Sequence, residues 1–96
     1  MRIDFTKSGG SVTAAINGRL DTATAPELER FLADNLADAD ALVIDCAELI
    51  YISSAGLRVL LSAHKRLKGA LTLKNVSELV MEVLEMTGFT DILVIE

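Results

Sequence analysis

Ile3 and Phe5 alternate with Asp4 and Thr6, the two-residue period of a strand with one buried face. Ser8-Gly9-Gly10-Ser11 then supplies turn chemistry, and Val12 to Ile16 reads as the return strand of a hairpin. That strand is expected to run on towards Leu20, with Asn17-Gly18 as a bulge or a second turn. The period changes next. Leu28, Phe31, Leu32 and Leu36 fall on one helical face, behind Thr24-Ala25-Pro26-Glu27, which fits a capping box with proline in the first turn. Ala41 to Cys46 is a short apolar run without alternation, so it reads as a central strand covered on both faces. Leu57, Leu60, Leu61, His64 and Leu67 mark the inner face of a second helix, opened by Ser53-Ser54-Ala55-Gly56. Lys65, Arg66 and Lys68 crowd its last turn, where cations favour the helix dipole, and Gly69 ends it.

Ala70 to Leu73 reads as a further strand. Ser77 caps a third helix carrying Leu79, Val80, Val83 and Leu84, with Val76 and Met81 at staple positions and Gly88-Phe89 as its stop. Ile92 to Ile95 is the last apolar strand. The predicted order is β-β-α-β-α-β-α-β. Strict alternation after the hairpin argues an α/β fold with a mainly parallel sheet and helices packed on it. Leu42, Val43, Ile44, Leu60, Leu61, Leu71, Leu73, Val83, Leu84 and Ile92 fall on inward phases and are the expected core.

Length sharpens this picture. Ninety-six residues accommodate one domain over 1–96 and not two independent cores. At 51% apolar, mostly aliphatic, the chain can build that core without disulfide or metal staples. A formal charge of −5 sets it against nucleic-acid backbones and anionic lipid surfaces. One Cys46 cannot form an internal bridge, and one His64 cannot build a metal site; both read as structural. Met1 to Phe5 has no signal-peptide core, and no uncharged stretch is long enough to span a bilayer. The expectation is a soluble, cytoplasmic protein with no cofactor, no metal and no membrane insertion.

Enzyme signatures are missing. No phosphate-binding loop ends in Gly-Lys-Ser/Thr, and Ser8-Gly9-Gly10 closes a hairpin instead of opening a helix. A triad of Ser54, His64 and Asp45 fails on distance, because ten residues of one helix separate its serine and histidine by about 15 Å. The segment with unusual local logic is Tyr51 to Arg58, which sets two hydroxyls and a glycine at a strand-to-helix junction. It has two readings. Ser53 or Ser54 caps the helix and Gly56 permits close packing; or the helix start presents a hydroxyl outward, where a phosphate would be tolerated.

Three segments resemble the STAS domain family, the sulfate-transporter and anti-sigma-factor antagonist domains, and among them the free-standing bacterial antagonists. Asn17-Gly18-Arg19-Leu20-Asp21 with Thr24-Ala25-Pro26-Glu27-Leu28 is similar to the family's Gly-x-Leu-Asp signature entering helix one. Leu42-Val43-Ile44-Asp45 through Tyr51-Ile52-Ser53-Ser54-Ala55-Gly56-Leu57 resembles its central strand and phosphorylation loop. Leu84-Glu85-Met86-Thr87-Gly88-Phe89 resembles the end of its last long helix.

The resemblance implies partner switching. The unphosphorylated domain would bind an anti-sigma factor that is also a GHKL-type serine kinase, freeing a sigma factor. Phosphorylation of a serine before helix two would break the complex, and a serine phosphatase would reset it. Alignment on the following Gly-Leu puts the acceptor at Ser54, with Ser53 as second choice. The partner-binding set implied is Asp21, Thr22, Ser53, Ser54, Gly56, Leu57 and Arg58. The chain departs from the pattern in two places: Ser53 stands where the family often has Asp, and Ala55 where Ser or Thr is common. These departures leave open an alternative, a constitutive STAS subunit or scaffold of a transport or signalling complex that is not phosphorylated.

Overall fold

The computed structural model describes residues 1–96. Strands β1 (Arg2–Ser8) and β2 (Ser11–Leu20) form the expected antiparallel hairpin, with Ile3 opposite Ile16 and Lys7 opposite Val12. The first half of β2 pairs in parallel with β3 (Ala41–Asp45), Val12 meeting Leu42 and Ala14 meeting Ile44. Its tail pairs in parallel with β4 (Leu49–Ile52), Gly18 meeting Leu49 and Leu20 meeting Ile52. The register slips between Gly18 and Arg19, so the bulge foreseen at Asn17-Gly18 is present. Gly18 takes φ 105 there, a conformation that a side chain would strain. Strand β5 (Leu71–Lys74) lies beside β3, and β6 (Val94–Ile95) beside β5, both parallel. The sheet runs β1-β2-β3-β5-β6, with β4 attached to the tail of β2.

Helices α1 (Ala25–Asn35), α2 (Ser54–Arg66) and α3 (Glu78–Met86) cover one face of this sheet. Val12, Ala14 and Ile16 of β2, Leu42 and Ile44 of β3, and Leu71 and Leu73 of β5 point into a single apolar core. Leu28 and Leu32 of α1, Leu57 and Leu60 of α2, and Val80 and Leu84 of α3 meet them there. At 5% exposure or less, each Val, Leu or Ile among them contributes on the order of 1.5–3 kcal/mol relative to exposure. Phe31 completes the α1 stripe at the sheet's edge, packing edge-to-face on Phe5 with ring centroids 4.9 Å apart.

Several expectations are corrected. β3 alternates buried and half-buried positions, so it is covered on one face, not both: Val43 stands between Thr13 and Thr72 on the open side. An apolar run of four residues, Ala41 to Ile44, carries no phase, and Val43 supplies apolar surface that the fold leaves partly open. Val83 packs against the core without filling it, and Val43 and Leu61 are half-buried outside it. Ile92 is 44% exposed, and Leu93 takes its inward place at 4%. The cause is a 3-10 turn over Phe89–Asp91, which shifts the phase and shortens the last strand to two residues. Strand β4 was not foreseen as a separate element. No helix is long and apolar enough to cross a membrane.

Candidate functional site

Strands β2 and β4 are parallel and end together. Leu20 lies opposite Ile52, and the Ser53 amide donates to the Leu20 carbonyl at 2.9 Å. Each strand is followed at once by a helix, so the starts of α1 and α2 lie side by side at the carboxyl ends of the strands. In open α/β sheets this edge commonly carries function.

The start of α1 is closed by its own side chains. The Asp21 carboxylate accepts hydrogen bonds from the amides of Ala23 (3.0 Å) and Thr24 (3.1 Å). The Thr24 hydroxyl accepts from the Asp21 amide at 2.9 Å and donates to the Arg19 carbonyl at 2.7 Å. This is a capping box over Asp21-Thr22-Ala23-Thr24, one turn before the one expected at Thr24 and Glu27. The expected box is absent because the Thr24 hydroxyl is turned back and Thr24 gives its side chain to no helix amide. Arg19 adds a second tie, its guanidinium 4.4 Å above the Tyr51 ring and its Nε 3.7 Å from the Asp21 carboxylate. The amide bond from Thr24 holds the Asp21 carboxyl below its ordinary range. The Ala23 amide, the Thr24 hydroxyl and Arg19 act in the same sense, against partial burial.

The start of α2 is built differently. Ser53 precedes the helix in extended geometry, φ −106 and ψ 176, yet its hydroxyl caps nothing. The Ser53 Oγ is buried without a hydrogen-bond partner. Ser53 therefore anchors the helix through its backbone: its carbonyl accepts from the Leu57 amide at 3.0 Å. The amides of Ser54, Ala55 and Gly56 make no backbone hydrogen bond, as is general for the first turn of a helix. Ser54 is the first helical residue and its side chain is exposed. Beneath it, Gly56 lies so close to the core that a Cβ would stand 2.6 Å from Leu20 Cγ and 3.1 Å from Ile52 Cγ1. Gly56 and Leu57 are buried, which corrects their expected place on the partner face; they seat the helix start from below. Asp21 keeps about a third of its side chain exposed (31%), and Thr22, Ser54 and Arg58 are exposed.

A shallow groove separates the two helix starts. Thr22, Ala25, Pro26 and Glu29 form one wall, and Ala55, Arg58 and Val59 the other. The molecule has two ion pairs, Arg2–Asp4 and Arg19–Asp21, and Arg58 belongs to neither. Sequence reasoning did not single out Arg19, Tyr51 or Glu29 for this edge. The Asp21-x-x-Thr24 spacing was the signal that could have placed the true cap.

The remaining candidates sit elsewhere. Asp45 accepts from the Ala47 amide and the Asn75 amide group, both at 3.0 Å, and ties the ends of β3 and β5. The Asn75 bond, then the Ala47 bond, hold its carboxyl below the usual range. His64 stands in the last turn of α2, at the far end from Ser54, so the serine, histidine and aspartate do not converge. Cys46 is buried, and that burial pushes its thiol up to about 12, far from a reactive thiolate. No three His, Cys, Asp or Glu side chains are grouped to hold a metal ion. The edge thus offers an exposed hydroxyl, a guanidinium and a fixed carboxylate beside a shallow groove, equipment for docking and modification.

A family model described as Mlab, STAS domain, matches residues 3–95. BtrV of Bordetella bronchiseptica, whose name gives anti-sigma factor antagonist as a provisional role, is 38% identical over 96 residues, spanning 96% of this chain and 83% of its own. The anti-sigma-B factor antagonist of Bacillus subtilis is 29% identical over 96 residues, 97% of this chain and 88% of its own. Among solved structures, the Bacillus cell fate determinant SpoIIAA in its phosphorylated form superposes with a TM-score of 0.74, over 99% of this chain and 91% of that one, at 14% identity. At that identity the likeness is one of fold.

Proposed function

Given that the chain belongs to the STAS domain family, we propose that it is an anti-sigma factor antagonist, a binding protein that docks an anti-sigma factor and is released by phosphorylation of Ser54. The partner in this reading is a GHKL-type serine kinase that doubles as the anti-sigma factor, and a serine phosphatase restores binding. The docking face comprises Asp21, Thr22, Ser54 and Arg58, with Ser53, Gly56 and Leu57 supporting it from beneath.

One observation carries the choice of acceptor. Of two adjacent serines, Ser54 is exposed on the first helical turn, whereas the Ser53 hydroxyl is buried. A kinase can reach the first and not the second. Both named relatives carry anti-sigma factor antagonist in their names, provisionally for one, and the fold is shared with a protein solved in a phosphorylated form.

The physics of the switch follows from where Ser54 stands. A phosphate adds about −1.5 to −2 charge at neutral pH. At a helix start that charge is stabilised by about 0.3–1 kcal/mol, so the fold survives it. Buried against a partner with no matching cation, the same charge costs several kcal/mol. A loss of about 2.7 kcal/mol is already a hundredfold weaker complex. The interface responds where the fold does not.

The test is incubation with ATP and a GHKL-type serine kinase from the same genome, followed by mass spectrometry and a binding titration. Ser54→Ala is expected to bind and to take no phosphate. Ser54→Asp is expected to bind about a hundredfold more weakly at a nearly unchanged melting temperature, and Ser53→Ala to change neither property. Phosphate on Ser53, or on neither serine, would sink the reading. Phosphate on neither would favour a constitutive STAS subunit, a second reading supported by Ser53 and Ala55 at the two departing positions.

A further inference from the structure

We infer that Arg58 is the internal counter-ion of a phosphate on Ser54, closing over the modified serine and withdrawing from the partner the one unengaged cation at this edge. The inference rests on the proposed switch for its biological setting, but its physical content stands apart from any kinase.

Ser54 and Arg58 are four residues apart on α2, and both are exposed. Residues at that spacing are neighbours on a helix surface, with Cβ atoms about 5–6 Å apart. Helical side chains lean towards the helix N-terminus, so Arg58 covers the turn from which Ser54 projects. The order is also the favourable one, since an anion placed N-terminal to a cation at this spacing is better than the reverse. The guanidinium can meet phosphate oxygens with two parallel hydrogen bonds, which a lysine cannot match.

Competition for Arg58 is weak. It makes no ion pair, and the other cation at this edge, Arg19, is held between Tyr51 and Asp21. From α1, Glu29 is the one acidic group lining the same groove, and it does not pair with Arg58. A phosphate carries up to twice the charge of that carboxylate and sits on Arg58's own helix face. Asp21 and Tyr51 face the Arg19 side, and Glu29 itself repels a phosphate. Modification therefore changes the docking face twice: it adds an anion at Ser54 and neutralises the cation at Arg58.

The test places phosphoserine at position 54 of the full chain during translation, so no kinase enters. A 31P NMR titration then reads the second ionisation of the phosphate in the otherwise unaltered chain, in Arg58→Gln and in Arg58→Lys. A nearby cation favours the dianion, so the midpoint is expected to lie roughly 0.2–0.4 pH unit lower with Arg58 than with Gln, and in between with Lys. The helix start is common to all three chains and drops out of the difference. Circular dichroism of the unphosphorylated variants checks that each folds. Equal midpoints in the Arg and Gln chains would overturn the pairing and leave the kinase switch standing. Failure of any kinase to modify Ser54 would overturn the switch while the midpoints still report on the pairing.

Discussion

The starts of α1 and α2 lie side by side at the same edge of the sheet, and they solve the same physical problem in opposite ways. Each helix opens with amides that its own carbonyls cannot reach. At α1 the Asp21 and Thr24 carbonyls take the amides of Ala25, Glu27 and Leu28, while the Asp21 and Thr24 side chains close the turn before the helix and Arg19 braces the carboxylate. At α2 no side chain does so: the Ser53 hydroxyl is buried and idle, and Ser54 faces outward. The first entrance is finished; the second is left for something else to complete. Adjacent serines are ordinarily read as caps, so the idle hydroxyl of Ser53 is what separates the two.

The comparison breaks most severely at the seat of α2. Gly56→Val would drive a side chain into Leu20 and Ile52, both fully buried, and is expected to destabilise by about 1–3 kcal/mol in chemical denaturation. Unchanged stability would mean that α2 is not seated as described. Next come two hydroxyl deletions of opposite sign. Thr24→Ala removes a hydroxyl bonded to the Asp21 amide and the Arg19 carbonyl and should cost about 0.5–2 kcal/mol. Ser53→Ala removes an unsatisfied buried hydroxyl and should leave stability unchanged or raise it by up to about 1 kcal/mol. Equal losses at both positions would erase the distinction between the entrances.

The smallest effect concerns Asp21 and acid. Its carboxyl titrates below its ordinary value in the folded chain, so it contributes stability that is present above its unfolded value, about 3.9, and is lost as pH falls through the folded one. Asp21→Asn keeps an acceptor at the cap and loses the charge. The variant should therefore be slightly less stable than the parent at neutral pH, and the two should converge in thermal melts towards pH 2. A stability difference that did not depend on pH would mean the charge plays no part.

Much of this was written in local patterns. The three helices follow from apolar stripes such as Leu28-Leu32 and Val80-Leu84, and the candidate site's segment from hydroxyls crowded at a strand-to-helix junction. What escaped was decided by partners distant in sequence. Leu49 to Ile52 is a strand only because the bulged tail of β2 is there to pair with it. The start of α1 offered two boxes, Thr24 to Glu27 and Asp21 to Thr24, and the bonds that turn the Thr24 hydroxyl back to the Asp21 amide and the Arg19 carbonyl distinguish them. Gly56 and Leu57 lie within the resemblance's partner segment, but helical phase turns them inward under Ser54. The open face of β3 was invisible because Ala41 to Ile44 is apolar throughout.

The ten-residue length of β2 has a further consequence, in the order of events by which the chain folds. This strand alone hydrogen-bonds to β1, to β3 and to β4. Its pairing with β1 is local, closed by a two-residue turn, and hairpins of this kind form within about 1–10 μs. Its pairings with β3 and β4 need loops from Val12 to Leu42 and from Leu20 to Ile52, and closing such loops is entropically slow. The hairpin is then the template on which the later strands are collected. The start of α2 is fixed to the sheet only when the tail of β2 has found β4, where the Leu20 carbonyl takes the Ser53 amide. Ile16, buried at the centre of that template, is the place where a shortened side chain should slow folding more than it hastens unfolding.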